Sequence, residues 1–233
     1  MASPFHPTHW TLVLRSSGEG ELAVTALSEL CESYYEPVVS FLRRQGKSDD
    51  DARDLAHGFF QELLNGGLGK PDPNRGKFRS YLLGALKKSL AKKYNAGQAA
   101  KRGAGVEHVS LTSAGEAGIL PGDHDDTREF DREWALALIA RALTKLETEN
   151  ESTSKAKKFK VLQPWLDGGS TISQAEAAAQ LGISETAVKV AIHRLRVRFR
   201  ELIRDEVTET VSSPSEASQE LQYLISVVSS SER

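Results

Sequence analysis

One cysteine, Cys31, is present in 233 residues. A single thiol excludes any internal disulfide and leaves no thiolate cluster for zinc. Its place in "LSELCESYY" favours burial among apolar neighbours, the habit of free cysteine. Long apolar runs are missing as well, since none approaches the roughly 18–20 residues that cross a bilayer. The start, "MASPFHPTHW", has no charged-then-apolar leader pattern. A cytoplasmic protein without a membrane segment is the expectation. The alternation of half-buried strands is absent between the turn signals, whereas apolar positions recur at three and four residues nearly everywhere. The expected fold class is therefore all-α. No period of roughly 20–50 residues repeats, which argues against a solenoid.

Signatures of catalysis are equally scarce. "GLGKPDPNRGKF" holds a Gly-Lys pair, but Pro71 stands where a phosphate-binding loop needs its first glycine, and Phe78 replaces the magnesium-binding hydroxyl. "DDDARD" lacks the glycine and final glutamate of a calcium loop and reads as a capped helix start. His6, His9, His57, His108, His124 and His193 show no metal-ligand spacing. No nucleophile–base pair is visible, so neither an enzyme nor a cofactor is expected.

The formal net charge is only −2, yet its distribution is uneven. From Gly67 to Arg102 ten Lys/Arg face one acid, Asp72; from Glu107 to Ser154 eleven acids face four bases; from Ser184 to Arg204 six bases face two acids. Two basic blocks separated by an acidic one suggest two anion-binding surfaces on one chain.

The helical pattern divides the chain into an N-terminal extension (1–20), a first helical domain (21–102), a flexible linker (103–127), a second helical domain (128–206) and a tail (207–233). Pro37 suits a helix start. Ser48 and the aspartates after it suit the N-terminus of a helix that closes on Gly66–Gly67. "FRSYLLGALKKSLAKKYNAGQAAK" reads as one long helix. Residues 103–127 hold five glycines and little periodicity. In the tail, Leu221, Leu224, Ile225 and Val228 form an apolar stripe at helical spacing after the break at Pro214. This short helix is marginal alone, so three outcomes are open: the stripe docks on its own domain for stability, it covers a DNA- or polymerase-binding face with Glu216 and Glu220 facing basic helix residues, or the tail is disordered.

"QAEAAAQLGISETAVKVAIHRLRVRFREL" has the internal spacing of a helix-turn-helix. Such a motif needs a small residue where the helices touch, a turn glycine and an apolar lock on the second helix. Ala178, Gly182 and Val188 fill these places, with Ile183 and Ile192 as further core contacts and Ser184 as the cap of the second helix. The basic residues Lys189, His193, Arg194, Arg196, Arg198 and Arg200 then follow its exposed sides. A recognition helix in the major groove, with later arginines on phosphates, is the expected geometry.

Two further stretches, "DDARDLAHGFFQELL" and "KFRSYLLGALKKSLAKK", resemble the second conserved region of sigma factors. In the extracytoplasmic-function (ECF) group of the sigma-70 family these read roughly D-A-x-D-L-x-Q-E-x-F and F-R-x-W-L followed by a basic helix. The helix-turn-helix resembles their fourth region through Gly182, Ser184, Val188, Lys189, His193, Arg194 and Arg196. "THWTLVLR", "KRGAG" and "FDREWALALIARAL" look like a sub-branch with extra termini. The chain departs from the pattern at four places. His57 and Gly58 stand for Gln-Glu, Tyr81 for tryptophan, Lys87–Lys88 for Arg-Asn, and Val190 for a polar base-contacting residue.

The resemblance implies a sigma region 2-like bundle and a region 4-like domain serving core RNA polymerase and promoter DNA. Ser184, Glu185, Thr186, Lys189, Val190, His193, Arg194, Arg196, Arg198 and Arg200 would meet the −35 element. Arg75, Lys77, Arg79, Tyr81, Lys87, Lys88, Lys92 and Lys93 would hold the unpaired −10 strand, with the loop Gly66–Lys77 capturing a flipped base. Asp51, Asp54, His57, Phe60, Gln61 and Leu64 would dock on the β′ coiled coil, with the −35 domain near the β flap. An anti-sigma factor or a kinase-linked regulator is a further partner compatible with the resemblance. The competing reading from the residues alone is a two-domain helix-turn-helix regulator that acts without core polymerase. A third is an adaptor whose helix-turn-helix binds only protein.

Overall fold

The computed structural model describes residues 34–65, 77–102, 123–166, 169–211 and 213–230. Cys31, the N-terminal extension, Gly66–Gly67, Arg75 and residues 103–122 of the expected linker lie outside them. Among the described residues all regular structure is helical. The helices are α1 (34–44), α2 (Asp49–Leu64), α3 (Phe78–Arg102), α4 (Asp123–Glu149) and α5 (Thr153–Leu162). After a short 3-10 turn at Gln163–Trp165 come α6 (Gln174–Leu181), α7 (Glu185–Glu209) and α8 (Pro214–Ser229).

Local chemistry accounts for most of the helix starts. At α2 the Ser48 hydroxyl accepts from the Asp51 N–H at 3.2 Å, and three aspartates occupy the first turn, where the helix dipole favours negative charge. At α6, Ser173 and Glu176 form a reciprocal capping box. The Ser184 hydroxyl accepts from the Ala187 N–H at 3.2 Å as α7 begins. α4 starts at Asp123, earlier than the Arg128 start that periodicity gives, so 123–127 are helical. Three aspartates among its first four residues suit an N-terminal turn. α8 opens with Pro214 in its first turn, where a missing N–H costs little.

The chain forms two compact units. One takes the described residues up to Ala137 together with Glu209 onward, and the other spans Leu138–Thr208. Phe130 and Trp134 in the first half of α4 are fully buried in the first unit. There Trp134 stacks on Tyr34 at 4.4 Å between ring centroids, and Phe78 lies 5.3 Å from Tyr34 and 6.0 Å from Trp134. Phe41 meets Phe130 edge-on at 5.5 Å. These contacts bring α1, α3 and α4 around one aromatic cluster, with Val38, Leu42, Leu82 and Leu86 completing the core. α2 adds Ala52, Ala56, Phe59 and Phe60 to that interior, and its Glu62 accepts from Ser89 at 2.7 Å and Lys92 at 2.5 Å on α3.

The second unit has two adjoining apolar clusters. One joins Leu162, Ala177, Ala178, Val188, Ala191 and Ile192, and the other Ala142, Leu146, Phe159 and Leu202. A buried carboxylate, Glu206, accepts from Arg141 at 2.7 Å and pairs with Lys145 at 2.5 Å.

Because Trp134 is the central ring of the first unit, Trp134→Ala is expected to cost about 3–5 kcal/mol of stability. Urea unfolding followed by circular dichroism checks this, and a loss below about 1 kcal/mol would mean that the aromatic cluster does not hold the unit together.

Candidate nucleic-acid interface

The turn between α6 and α7 depends on Gly182, whose φ of 65° and ψ of 34° lie in the left-handed region. Side chains disfavour that region because Cβ crowds the following carbonyl. The Gly182 and Ile183 N–H groups close the end of α6 on the Ala179 and Ala178 carbonyls, at 3.4 and 3.1 Å. Ala178 and Val188 are buried where the helices meet, and Ile183 packs on the same cluster as Ile192. The spacing read from the sequence therefore corresponds to a close-packed helix–turn–helix pair.

With Val188, Ala191, Ile192 and Leu202 inward, α7 presents the opposite ridge to solvent. Ser184, Glu185, Thr186, Lys189, Val190, His193, Arg194 and Arg200 are all exposed. Val190 is 45% exposed, and Val197 also lies open on the helix. Two arginines have other engagements. Arg196 donates twice to the Trp165 carbonyl, at 2.9 and 2.7 Å, and so fastens α7 to the 3-10 turn. Arg198 pairs with Glu149 at 2.5 Å and Glu201 at 3.0 Å. The hydrogen bonds that Arg198 donates to Glu149 and then Glu201 raise its pKa, and the same contact holds the Glu149 carboxyl below the usual glutamate range. The ridge left free for a ligand is thus Thr186, Lys189, Val190, His193, Arg194 and Arg200. It mixes cations with an apolar centre, and such a mixture can read base edges as well as phosphates. Beside it in the same unit, Lys155, Lys158 and Arg194 rim a groove whose floor is Leu146, Phe159 and Leu195.

On α3 the expected strand-binding residues separate into two groups. Lys88, Lys92 and Lys93 are exposed and Lys87 is partly so. Lys92 bonds Glu62, and the Lys93 amine lies over Gly58, where a Cβ would come within 2.6 Å of it. At the other end, Arg79 was expected on the strand-tracking surface but is buried, with 6% of its surface exposed. It pairs with Asp131 of α4 and donates to Glu220 of α8 at 3.0 Å. Burial pulls its pKa down, and the Asp131 and Glu220 carboxylates more than offset that, so the net direction is up. Lys77 is half-buried, with its amine 2.6 Å from the same Glu220. Tyr81 is partly buried and its hydroxyl pKa is raised by that burial. Sequence reasoning passed over Tyr94, which is 64% exposed directly after Lys92–Lys93. An aromatic side chain adjoining a lysine pair was the available signal for a base-stacking platform.

Of the expected polymerase-facing residues, Asp51, Asp54, His57 and Gln61 are exposed on α2. Asp51 also accepts from the Ser48 hydroxyl at 2.7 Å, and His57 lies 5.1 Å from the Tyr35 ring. Phe60 is instead buried against Phe59 and Tyr35, because its helical position faces the core with Ala52, Ala56 and Phe59. The Leu64 side chain lies outside the described residues.

Among the described residues no group of His, Cys, Asp or Glu side chains could hold a metal ion, and no helix is long and apolar enough to cross a membrane. No protein-family model, curated protein or solved structure matches the chain.

Gly182→Ala puts a side chain into the left-handed turn and is expected to cost roughly 1–2 kcal/mol of stability. Gly182→Asn, better tolerated in that region, should lose less. Thermal denaturation of the two variants orders them, and equal losses would contradict a conformational role for Gly182.

Proposed function

We propose that the chain is a sigma factor of the ECF group, directing core RNA polymerase to promoters in the cytoplasm. The observation that carries this reading is the pairing, in one chain, of a helix-turn-helix with an open polar ridge and a basic helix whose sequence resembles sigma region 2. A helix-turn-helix alone fits many regulators. The second basic helix exposes an aromatic ring, Tyr94, as well as Lys88, Lys92 and Lys93, and this suits single-stranded rather than duplex DNA, because a stacking aromatic needs an unpaired base.

On this reading the start of α7 enters the major groove of the −35 element. Thr186, Lys189, His193 and Arg194 contact base edges there, and Arg200 contacts the backbone. Val190, in the middle of the ridge, suits the methyl group of a thymine. α3 holds the −10 strand once it opens. Unstacking costs a few kcal/mol, offset by backbone contacts to its lysines and by stacking. Asp51, Asp54, His57 and Gln61 on α2 offer polar contacts to the β′ coiled coil. The groove with the Lys155, Lys158 and Arg194 rim offers an apolar floor to a segment of the β flap. The near-neutral net charge of −2 fits a subunit that needs core polymerase, since a uniformly basic one would bind free DNA indiscriminately.

Run-off transcription with a matched core enzyme and a genomic promoter library tests the reading. Specific transcripts are expected only when core and this chain are combined. Tight operator binding by the chain alone, with no transcripts, would instead identify a two-domain regulator. Lys189→Ala should weaken −35 recognition in a base-specific way, by about 1–3 kcal/mol. Joint Lys87→Ala and Lys88→Ala should impair opening and be rescued by a pre-melted −10 template. If pre-melting gives no rescue, α3 is not the strand-holding surface.

A further inference from the structure

We propose that α8 is an autoinhibitory latch, with Glu220 occupying the place of a nucleic-acid phosphate at the N-terminus of α3. The inference rests on the reading of Lys77 as a strand-binding cation. The face that α8 turns inward is apolar at Ala217, Leu224 and Val227, and Glu220 interrupts it with only 1% of its surface exposed. Its carboxylate receives Lys77 at 2.6 Å and Arg79 at 3.0 Å. Tyr223, one helical step away, lays its ring 4.9 Å from the Arg79 guanidinium and 5.7 Å from the Lys77 amine. Its hydroxyl reaches Asp131 at 2.5 Å. The chain leading into α8 closes the same end of α3, where the Phe78 N–H donates to the Thr210 carbonyl at 3.2 Å.

Stability alone does not call for this arrangement. A buried ion pair is often no better than well-packed apolar residues of the same volume, so a leucine at 220 would serve a purely structural helix. A carboxylate between two cations differs in one respect: another anion can replace it. A phosphate accepts from lysine and arginine as a carboxylate does. The two cations would not respond alike. Arg79 keeps its ion pair with Asp131 of α4 when Glu220 leaves, so it anchors. Lys77 is half-exposed and directly precedes α3, so it is the cation that release hands to a DNA strand. α8 spans 16 residues, which is marginal for an isolated helix in water, so once undocked it has little tendency to persist.

The test uses the free full-length chain at low salt and a fluorescent single-stranded deoxyoligonucleotide. Glu220→Gln keeps the side-chain shape and removes the competing charge. It should bind more tightly than wild type, with the slope of log affinity against log salt steeper by about 0.7, the increment for one more neutralised phosphate. Adding Lys77→Ala should return the slope to the wild-type value. Glu216→Gln makes the same change in net charge outside the cluster and should leave the slope unchanged. Equal effects at 216 and 220, or no tighter binding at 220, would overturn the latch and leave α8 as packing. Hydrogen exchange on the wild-type chain needs no substitution: saturating oligonucleotide should deprotect the α8 amides, and unchanged protection would overturn the proposal even if Glu220→Gln fails to fold. Run-off transcription separates the two readings. If it succeeds while Glu220→Gln is silent, only the latch falls. If it fails while Glu220→Gln binds more tightly as expected, the sigma reading falls and the latch stands.

Discussion

The first unit depends on a guanidinium taken out of water. Arg79 pairs with carboxylates from two other helices, Asp131 on α4 and Glu220 on α8, and carries the Tyr223 ring on one side. Removing Asp131, the partner that is itself fully buried, would leave the guanidinium without its permanent counter-charge, at a cost of roughly 3–5 kcal/mol. The position of α3 is therefore coupled to helices far from it in sequence. Arg79 sits next to Phe78, which packs on Tyr34 and Trp134, so electrostatic and aromatic packing fix the same turn of α3. Further along the same helix, Glu62 of α2 accepts from Ser89 and Lys92, so the stretch that exposes the lysines and Tyr94 is held from a second side.

The second unit solves a similar problem for α7. Its early turns are set by the Gly182 turn and the Ala178–Val188 contact, its middle by the Arg196 bonds to the Trp165 carbonyl, and its later turns by Glu206 between Arg141 and Lys145. Each of these fastenings lies on the inward side or flank. The outward ridge is left to a ligand. A reader of base edges needs a rigid presenting element, because a displacement of about 1 Å is enough to break a bidentate contact.

What could be read from the residues alone follows the range of the interaction. The helix-turn-helix spacing and the caps at Ser48, Ser173 and Ser184 were legible because each is settled within a few residues. The partners of Phe130 and Trp134 were not, since Tyr34 and Phe78 are distant in sequence. The tail illustrates the same limit. Periodicity gave a stripe of Leu221, Leu224, Ile225 and Val228, whereas the buried face is Ala217, Glu220, Leu224 and Val227, with Ile225 exposed. The buried face is offset by about one residue from that stripe, and it includes Glu220, which accepts from Arg79, 141 positions away. Of Glu216 and Glu220, both expected to face basic helix residues, Glu220 meets Arg79 in α3 and Lys77 just before it. The exposed lysines of α3 were legible from charge alone. The burial of Arg79 was not, because a lone arginine in a basic helix gives no sign of its buried partners.

As the proposed sigma factor, this chain opens promoter DNA together with core polymerase, with one surface on duplex and another on an unpaired strand. Permanganate probing of thymines on a cognate promoter shows whether that opening occurs. The expected result is reactive thymines around the −10 element only when core polymerase and the chain are both present, with the −35 element still protected as duplex. Protection by the chain alone, with no reactive thymine whether or not core is added, would contradict it.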